Sequence, residues 1–146
     1  MKLNKGFTMI EMLLSVAFIG IIFGIASPFY TSFQTRNDLD IEVNTIVQSL
    51  RRAQVLSQSS DGDMNWGVYI ESGSIIIFKG VSYVARDISY DEVFDTPESI
   101  NTSGVSEVVF SKLYGMPQSI GTVTLTSAEN ETRSITINEK GMVDYQ

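Results

Sequence analysis

The chain has 146 residues, a length that suits one compact domain with one added element. It contains neither cysteine nor histidine, which excludes disulfide bonds, thiolate nucleophiles, Cys/His zinc sites and catalytic mechanisms that need a histidine. Ten basic and 17 acidic residues give a net charge of −7, and a surface of that sign repels phosphate backbones, so a general nucleic-acid-binding role is disfavoured.

The first predicted element is an apolar helix over residues 7–29. The only charge in these 23 residues is Glu11. At about 1.5 Å per residue this helix is about 35 Å long, and the hydrocarbon core of a bilayer is about 30 Å thick, so the segment is a candidate membrane span. Two lysines precede it, and the positive-inside rule then keeps residues 1–6 in the cytoplasm and sends the chain after Pro28 across the membrane.

Two conventional interpretations of this segment are incomplete. A secretory signal peptide could be cut after the Gly24-Ile25-Ala26 stretch, but its apolar region is normally about 7–15 residues and holds no carboxylate. A plain membrane anchor accounts for the length and leaves Glu11 unexplained, although a charge at membrane depth costs about 2.5–3.5 kcal/mol on insertion scales. Because an unpaired charge in lipid is this unfavourable, we expect the carboxylate to have a partner.

A third interpretation supplies the partner. The string KGFTMIE (residues 5–11), followed by MLLSVA (residues 12–17), resembles the class III leader of type IV pilins and of the pseudopilins of type II secretion. The resemblance implies that a membrane prepilin peptidase cuts between Gly6 and Phe7 and then methylates the new amino terminus of Phe7. It also implies that Glu11 meets the amino terminus of a neighbouring subunit. Because neither charge is favourable alone in lipid, such pairing would promote assembly and set the axial register.

Small residues and a proline mark the second half of the apolar segment. Gly20 and Gly24 have the G-x-x-x-G spacing that lets membrane helices approach closely, although glycine is common enough in membrane spans for the spacing to arise by chance. Pro28 removes a backbone donor and weakens the preceding turn. In the resembled family the segment between such a glycine and proline can lose helical structure when subunits enter the filament, and we expect the same here.

An amphipathic continuation of the helix is predicted over residues 30–60. Apolar residues recur at steps of three and four, and the polar face is predicted to carry Asp40, Glu42, Gln48 and Arg51 or Arg52. The pattern ends in the turn-rich stretch 57–63. Residues 7 to about 57 therefore form one proline-interrupted helix of about 75 Å. The apolar stripe consists of Leu39, Val43, Ile46, Leu50 and Ala53.

Residues 61–146 are predicted to form an antiparallel β-sheet domain. Strands at 66–70 and 75–79 are joined by the hairpin signal 71–74, and β-branched residues predict further strands at 107–111, 121–127 and 132–138. The acidic stretch between Val81 and Gly104 is predicted to be a long connection with one short strand near 99–102. The aromatic side chains of the hairpin, which are Trp66, Tyr69 and Phe78, are expected to pack on the helix.

The globular part has a second resemblance, to the H-type minor pseudopilins of type II secretion and their minor-pilin relatives. It is carried by short patterns: SLRRAQ (49–54), NWGVY (65–69), VF (109–110), GMP (115–117), TVTL (122–125) and ITI (135–137) with Gly141. The chain lacks the C-terminal cysteine pair of many major pilins, which is compatible with a minor subunit. The expected fold class is α+β and pilin-like, with a long N-terminal helix packed on an antiparallel sheet.

No metal or cofactor site is predicted. Asp61 and Asp63 flank a glycine and could suggest calcium, but the other oxygen ligands of a calcium loop are missing, so a solvated turn is favoured. The acidic residues of the 81–104 connection are likewise interpreted as a solvated face, since nothing nearby would raise a pKa. They are Asp87, Asp91, Glu92, Asp95 and Glu98.

The sequence thus predicts a non-enzymatic subunit of a type IV pilin-like filament, most similar to a minor pseudopilin. It is expected to cross the inner membrane once, with its N-terminus in the cytoplasm and its globular domain in the periplasm or cell exterior. Its expected partners are prepilin peptidase, other pilin or pseudopilin subunits, the inner-membrane assembly platform and membrane lipid. One alternative is a soluble envelope binding module cut after Ala26. Another is a DNA-uptake minor pilin, although 8 basic and 16 acidic residues from Thr31 onward leave only Arg51 with Arg52 as a local basic patch.

Overall fold

The computed structural model describes residues 6–146, except for the side chains of residues 25–32. The predicted leader residues before Gly6 and the side chain of Pro28 lie outside this described part. The chain divides into two units, and the division falls between Gln34 and Thr35. The elements, in chain order, are α1 (Met9–Gln58), a short 3-10 helix (Asp61–Asp63), β1 (Trp66–Glu71), β2 (Ser74–Gly80), β3 (Arg86–Asp95), β4 (Asn101–Gly104), β5 (Glu107–Phe110), β6 (Gly121–Thr126), β7 (Thr132–Ile137) and β8 (Val143–Tyr145).

The first unit is helical from Met9, as the apolar sequence predicts. Among the residues that the structure describes, no helix combines the length and the apolar character needed to cross a membrane. The span proposed for residues 7–29 extends into residues 25–29, whose side chains are outside the described part, and it stays a prediction.

The second unit contains two four-stranded antiparallel sheets. The first sheet has the order β3-β2-β1-β5, and the second has the order β4-β6-β7-β8. In the first sheet Val68 of β1 lies opposite Ile77 of β2 and Val108 of β5. In the second, Val123 of β6 lies opposite Ile135 of β7. All five of these residues are buried, so both sheets contribute apolar side chains to one core.

The second part of α1 covers this core. Its apolar stripe is buried as predicted, with Leu39, Ile46 and Leu50 fully enclosed against the two sheets. A helix with one apolar stripe needs only one apolar surface to cover it. The two sheets of the same chain provide that surface. The predicted α+β architecture, with a helix packed on antiparallel sheets, is confirmed.

Polar contacts hold the C-terminal end of α1 to both sheets. The Ser57 hydroxyl is fully buried; it accepts a hydrogen bond from the Trp66 amide at 2.9 Å and donates one to the Phe110 carbonyl at 3.0 Å. Gln54 Nε2 donates to the carbonyls of Gly115 and Lys140, at 3.0 and 3.1 Å. The C-terminal end of the helix is therefore hydrogen-bonded to segments of both sheets.

Three ion pairs lie along the edges of the same helix segment. Arg36 bonds Glu131 at 2.8 Å and Arg133 bonds Asp40 at 3.1 Å, both on the side of the second sheet. Arg52 bonds Glu92 of β3 at 2.7 Å. Such exposed pairs contribute little stability individually, about 0–1 kcal/mol, but they favour one rotation of the helix on the sheets.

The sequence interpretation was wrong about the 81–104 connection. It contains the ten-residue strand β3, which forms an edge of the first sheet. The pairing register jumps between Ile77↔Glu92 and Lys79↔Asp87, so four residues of β3 bulge opposite one residue of β2. That bulge interrupts the alternation of apolar and polar residues and hides the strand from pattern analysis. The three-residue strand β8 was also missed.

Two of the three hairpin aromatic residues do not pack on the helix. Trp66 is buried in the helix-facing core as predicted. Phe78 lies on the opposite face of the first sheet, where it is fully buried with Ile76 and Val109 and is covered by Tyr69 and Tyr83. Tyr83, from the β2–β3 loop, stacks on Tyr69 with ring centroids 3.9 Å apart. The far face of the sheet is therefore closed by its own loop, which the sequence did not indicate.

Candidate assembly site

The predicted processing and pairing residues lie at the start of α1. Gly6 and Phe7 precede the helix, and the Phe7 side chain is 80% exposed. The peptide bond between them is thus open to solvent on the first unit. An exposed, non-helical dipeptide is the kind of substrate that a peptidase can bind in extended form.

Thr8 and Glu11 cap the helix reciprocally. The Glu11 amide donates to Thr8 Oγ1 at 3.4 Å, and the Thr8 amide donates to Glu11 Oε2 at 3.5 Å. This is the capping-box arrangement, in which a hydroxyl residue and a glutamate three positions later satisfy each other's backbone donors. Both contacts are at the long end of the hydrogen-bond range, and both residues are exposed. The Glu11 carboxylate is held at the helix start while remaining open to another partner.

The apolar side chains of this segment are exposed around the whole helix. Every large apolar residue from Met9 to Phe23 has between 54% and 82% of its surface exposed. A helix that is apolar on all sides needs an apolar environment on all sides, either lipid or other helices. These residues are Met9, Ile10, Met12, Leu13, Leu14, Val16, Phe18, Ile19, Ile21, Ile22 and Phe23.

Gly20 and Gly24 leave open surface on the helix. An added Cβ at either position would meet no atom within 4 Å. The two glycines are one turn apart and share a face, as the G-x-x-x-G pattern requires. Their use in helix association stays a prediction, as does the softening role of Pro28, whose side chain is outside the described part.

The Asp61-Gly62-Asp63 turn is exposed, as the favoured interpretation of the sequence predicts, and it also makes contacts with neighbouring segments. Asp63 forms an ion pair with Lys112, and the Asp61 carbonyl accepts a 3.0 Å hydrogen bond from the Trp66 indole. The hydrogen bond from Lys112 lowers the pKa of Asp63. Within the described residues no group of three acidic side chains is arranged to hold a metal ion. The turn connects the end of α1 to β1 and to the loop after β5.

The acidic stretch around β3 is only partly a solvated face. Asp91 bonds Arg86 at 2.8 Å, and both side chains are largely buried. The Arg86 guanidinium also lies 3.8 Å from the centre of the Tyr83 ring. Glu92 bonds Arg52 of α1, as described above. Two of the five predicted surface acids therefore stabilise the sheet and its contact with the helix, whereas Asp87, Asp95 and Glu98 are exposed as expected.

Glu42 is the residue that the sequence interpretation misplaced most. It was assigned to the polar face of the helix, but it is fully buried, and neither carboxylate oxygen has a hydrogen-bond partner. Burial raises the pKa of Glu42 to about 7. The signal was available, because residue 42 is three positions after Leu39 and four before Ile46, which places it inside the apolar stripe.

No family model matches the sequence. Among solved structures the chain is similar to the minor pseudopilin EpsH from the type 2 secretion system of Vibrio cholerae, with a TM-score of 0.56 and 11% identity. The similarity covers 75% of this chain and 96% of that chain. The chain has the pseudopilin fold. At this identity the similarity concerns the fold alone, namely the helix on antiparallel sheets.

Proposed function

We propose that the protein is a structural subunit of a type IV pilin-like filament, a minor pseudopilin of a type II secretion system or a minor type IV pilin. The observation that carries this proposal is a helix exposed and apolar on all sides, with one carboxylate at residue 11, in a chain with the pseudopilin fold. The role is mechanical and requires no catalytic residue, cofactor or metal.

Processing by prepilin peptidase is the first step of the proposal. Cleavage between Gly6 and Phe7 removes the two lysines that hold the N-terminus inside, and methylation of Phe7 leaves a cationic amine at the start of the apolar segment. Residues 7–29 then keep the subunit in the inner membrane until it is assembled. The exposed position of Gly6 and Phe7 supports this step, since a peptidase must reach the bond.

Assembly through Glu11 is the second step. In a bundle of staggered helices, each Glu11 carboxylate neutralises the Phe7 amine of a neighbour, and the lipid makes both charges costly while unpaired. The capping contact with Thr8 supports this role, because it orients the carboxylate at the helix start through weak bonds. The assembly platform and the other subunits are the partners in this step, and the second unit faces the periplasm or the cell exterior.

The mass of the N-terminal peptide tests the processing step. Protein recovered from the native host is digested and its N-terminal peptide is analysed by mass spectrometry. We expect a peptide that begins at Phe7 and carries one added methyl group. A peptide that begins at Ser27 would support the soluble envelope module instead, and a peptide that retains residues 1–6 would reject processing altogether.

Variants of Glu11 and Thr8 test the assembly step. Glu11→Leu and Glu11→Gln remove the charge, and glutamine can still cap the helix. Thr8→Val removes the hydroxyl cap and keeps the charge. We expect cleavage in all three variants and a loss of roughly tenfold or more in filament incorporation for both Glu11 variants, with a smaller loss for Thr8→Val, because the intersubunit ion pair supplies most of the effect. Normal incorporation of Glu11→Gln, measured by sedimentation of sheared filaments, would refute the register role.

A further inference from the structure

Glu42 is a carboxylate enclosed within the second unit. None of its surface is exposed, and both Oε1 and Oε2 lack a hydrogen-bond partner. On α1 it is flanked by Leu39, Val43 and Ile46, which are at most 3% exposed. An ionised carboxylate in such a place loses its hydration and gains nothing in exchange, so the site accepts the neutral acid far better than the anion.

The cations around this part of α1 do not neutralise Glu42. Three arginines on this helix and on the strands beside it are each bonded to another carboxylate, at 2.7–3.1 Å. Asp38 lies four residues before Glu42 on α1, and the raised pKa of Glu42 comes from burial. The charged groups concerned are Arg36 with Glu131, Asp40 with Arg133, and Arg52 with Glu92.

We propose that Glu42 makes the packing of α1 on the two sheets a pH-sensitive contact, in which the neutral acid keeps residues 35–46 docked and the ionised form loosens them. The inference goes beyond the proposed filament role and does not depend on it, because it concerns only packing inside the second unit. It assigns a regulatory role to a side chain that contributes neither a hydrogen bond nor an ion pair to that packing.

The sign of the effect follows from linkage. Burial raises the pKa of Glu42 to about 7 in the folded protein, whereas the unfolded chain releases the proton near the ordinary glutamate value. Below about pH 4 the group is neutral in both states and has no effect on stability. Stability then declines as the pH rises to about 7 and remains low at higher pH. The chain has no histidine, so no histidine titrates in the same window.

The test measures the stability of the full chain in neutral detergent micelles between about pH 5 and pH 8. Urea unfolding is followed by the fluorescence of Trp66, the single tryptophan, which is buried in the core that α1 covers. For the wild type we expect the folding equilibrium constant to fall by up to about a hundredfold over this range, since each pKa unit corresponds to a factor of ten. Glu42→Gln cannot ionise, and we expect its stability to be nearly independent of pH.

Glu139→Gln is the matched control. Residue 139 is an exposed glutamate, so this variant makes the same chemical change and should keep the pH dependence of the wild type. Amide hydrogen exchange, corrected for intrinsic rates, locates the effect. We expect faster exchange in residues 39–46 of the wild type at pH 8 than at pH 6, and no such difference in Glu42→Gln.

Two further measurements keep the proposal testable if Glu42→Gln does not fold. Glu42→Met replaces the acid by an apolar side chain of similar length and should also abolish the pH dependence. In the folded wild type, the ¹³C shift of the Glu42 carboxyl group should titrate near neutral pH. An ordinary glutamate titration of that carboxyl, or the same pH dependence in the wild type and in the variants, would overturn the proposal.

Discussion

Helix α1 carries two apolar regions with opposite environments. Between Met9 and Phe23 the large apolar side chains are all more than half exposed, whereas the stripe from Leu39 to Ala53 is almost completely buried. The two regions differ in periodicity more than in residue type, because the first is apolar on all sides and the second on one side only. The second region completes its burial within its own chain, whereas the apolar side chains of the first stay exposed.

The largest expected effect is the difference between two isoleucine-to-alanine substitutions, one in each region. Ile46 is fully buried and Ile22 is 65% exposed, so Ile46→Ala leaves a cavity and Ile22→Ala does not. We expect Ile46→Ala to lower the free energy of unfolding by about 2–5 kcal/mol. Ile22→Ala should change it by no more than about 0.5 kcal/mol. Urea unfolding followed by Trp66 fluorescence measures both, and equal effects would contradict the contrast between the two regions.

An intermediate difference in stability is expected between two glycine-to-alanine substitutions, one in each unit. A Cβ at Gly67 would lie 2.6 Å from Phe78 Cζ and 3.0 Å from the Val108 carbonyl oxygen, whereas a Cβ at Gly20 would meet nothing within 4 Å. Gly67→Ala should therefore destabilise the second unit by about 1–3 kcal/mol through overpacking. Gly20→Ala should leave that unit unchanged, because alanine favours the helix and has space.

Thermal unfolding of the two glycine variants provides the comparison. If Gly67→Ala has the melting temperature of the wild type, the far face of the first sheet is not closed around Phe78. If Gly20→Ala lowers the melting temperature, the surface of the first unit is not open at that glycine.

The smallest expected effect is at the exposed turn after α1. The hydrogen bond from Lys112 lowers the pKa of Asp63, so the ion pair contributes stability above the ordinary aspartate pKa and loses that contribution as the pH falls through the folded value. Asp63→Asn should be slightly less stable than the wild type near pH 6, and the difference should shrink as the pH falls below the ordinary aspartate pKa. Asp61→Asn is the control, since in the described structure its carboxylate has no ion partner. A difference that persists at low pH would mean that the aspartate acts through some other contact.

Local patterns were sufficient to predict most elements of the second unit. The step of three and four from Leu39 to Ala53 predicts the buried face of α1, and the Glu71–Ser74 turn predicts the β1–β2 hairpin; both are confirmed. These predictions succeed because periodicity and turn residues are properties of short segments. Strand β3 was missed because its bulge breaks the period of two that identifies a strand.

In the candidate site, too, some features could be predicted from short segments of sequence and others could not. The sequence alone places Gly6, Phe7 and Glu11 at the start of an apolar helix, because charge and hydropathy can be seen along the chain. The capping contact of Glu11 with Thr8 could also have been predicted, since Thr8-x-x-Glu11 has capping-box spacing. The ion pair of Arg52 with Glu92 could not, because it joins residues 40 positions apart.

The sequence by itself determined the type and order of most elements and the unusual character of the first helix region, because these depend on neighbours within a few residues. Tertiary structure decided which segments cover each face. Phe78 is buried by a loop on the far side of its sheet, and Glu42 is enclosed where α1 meets two sheets at once. Burial depends on which segments come together from distant parts of the chain, and no local pattern records the shape of the surface that a residue will meet.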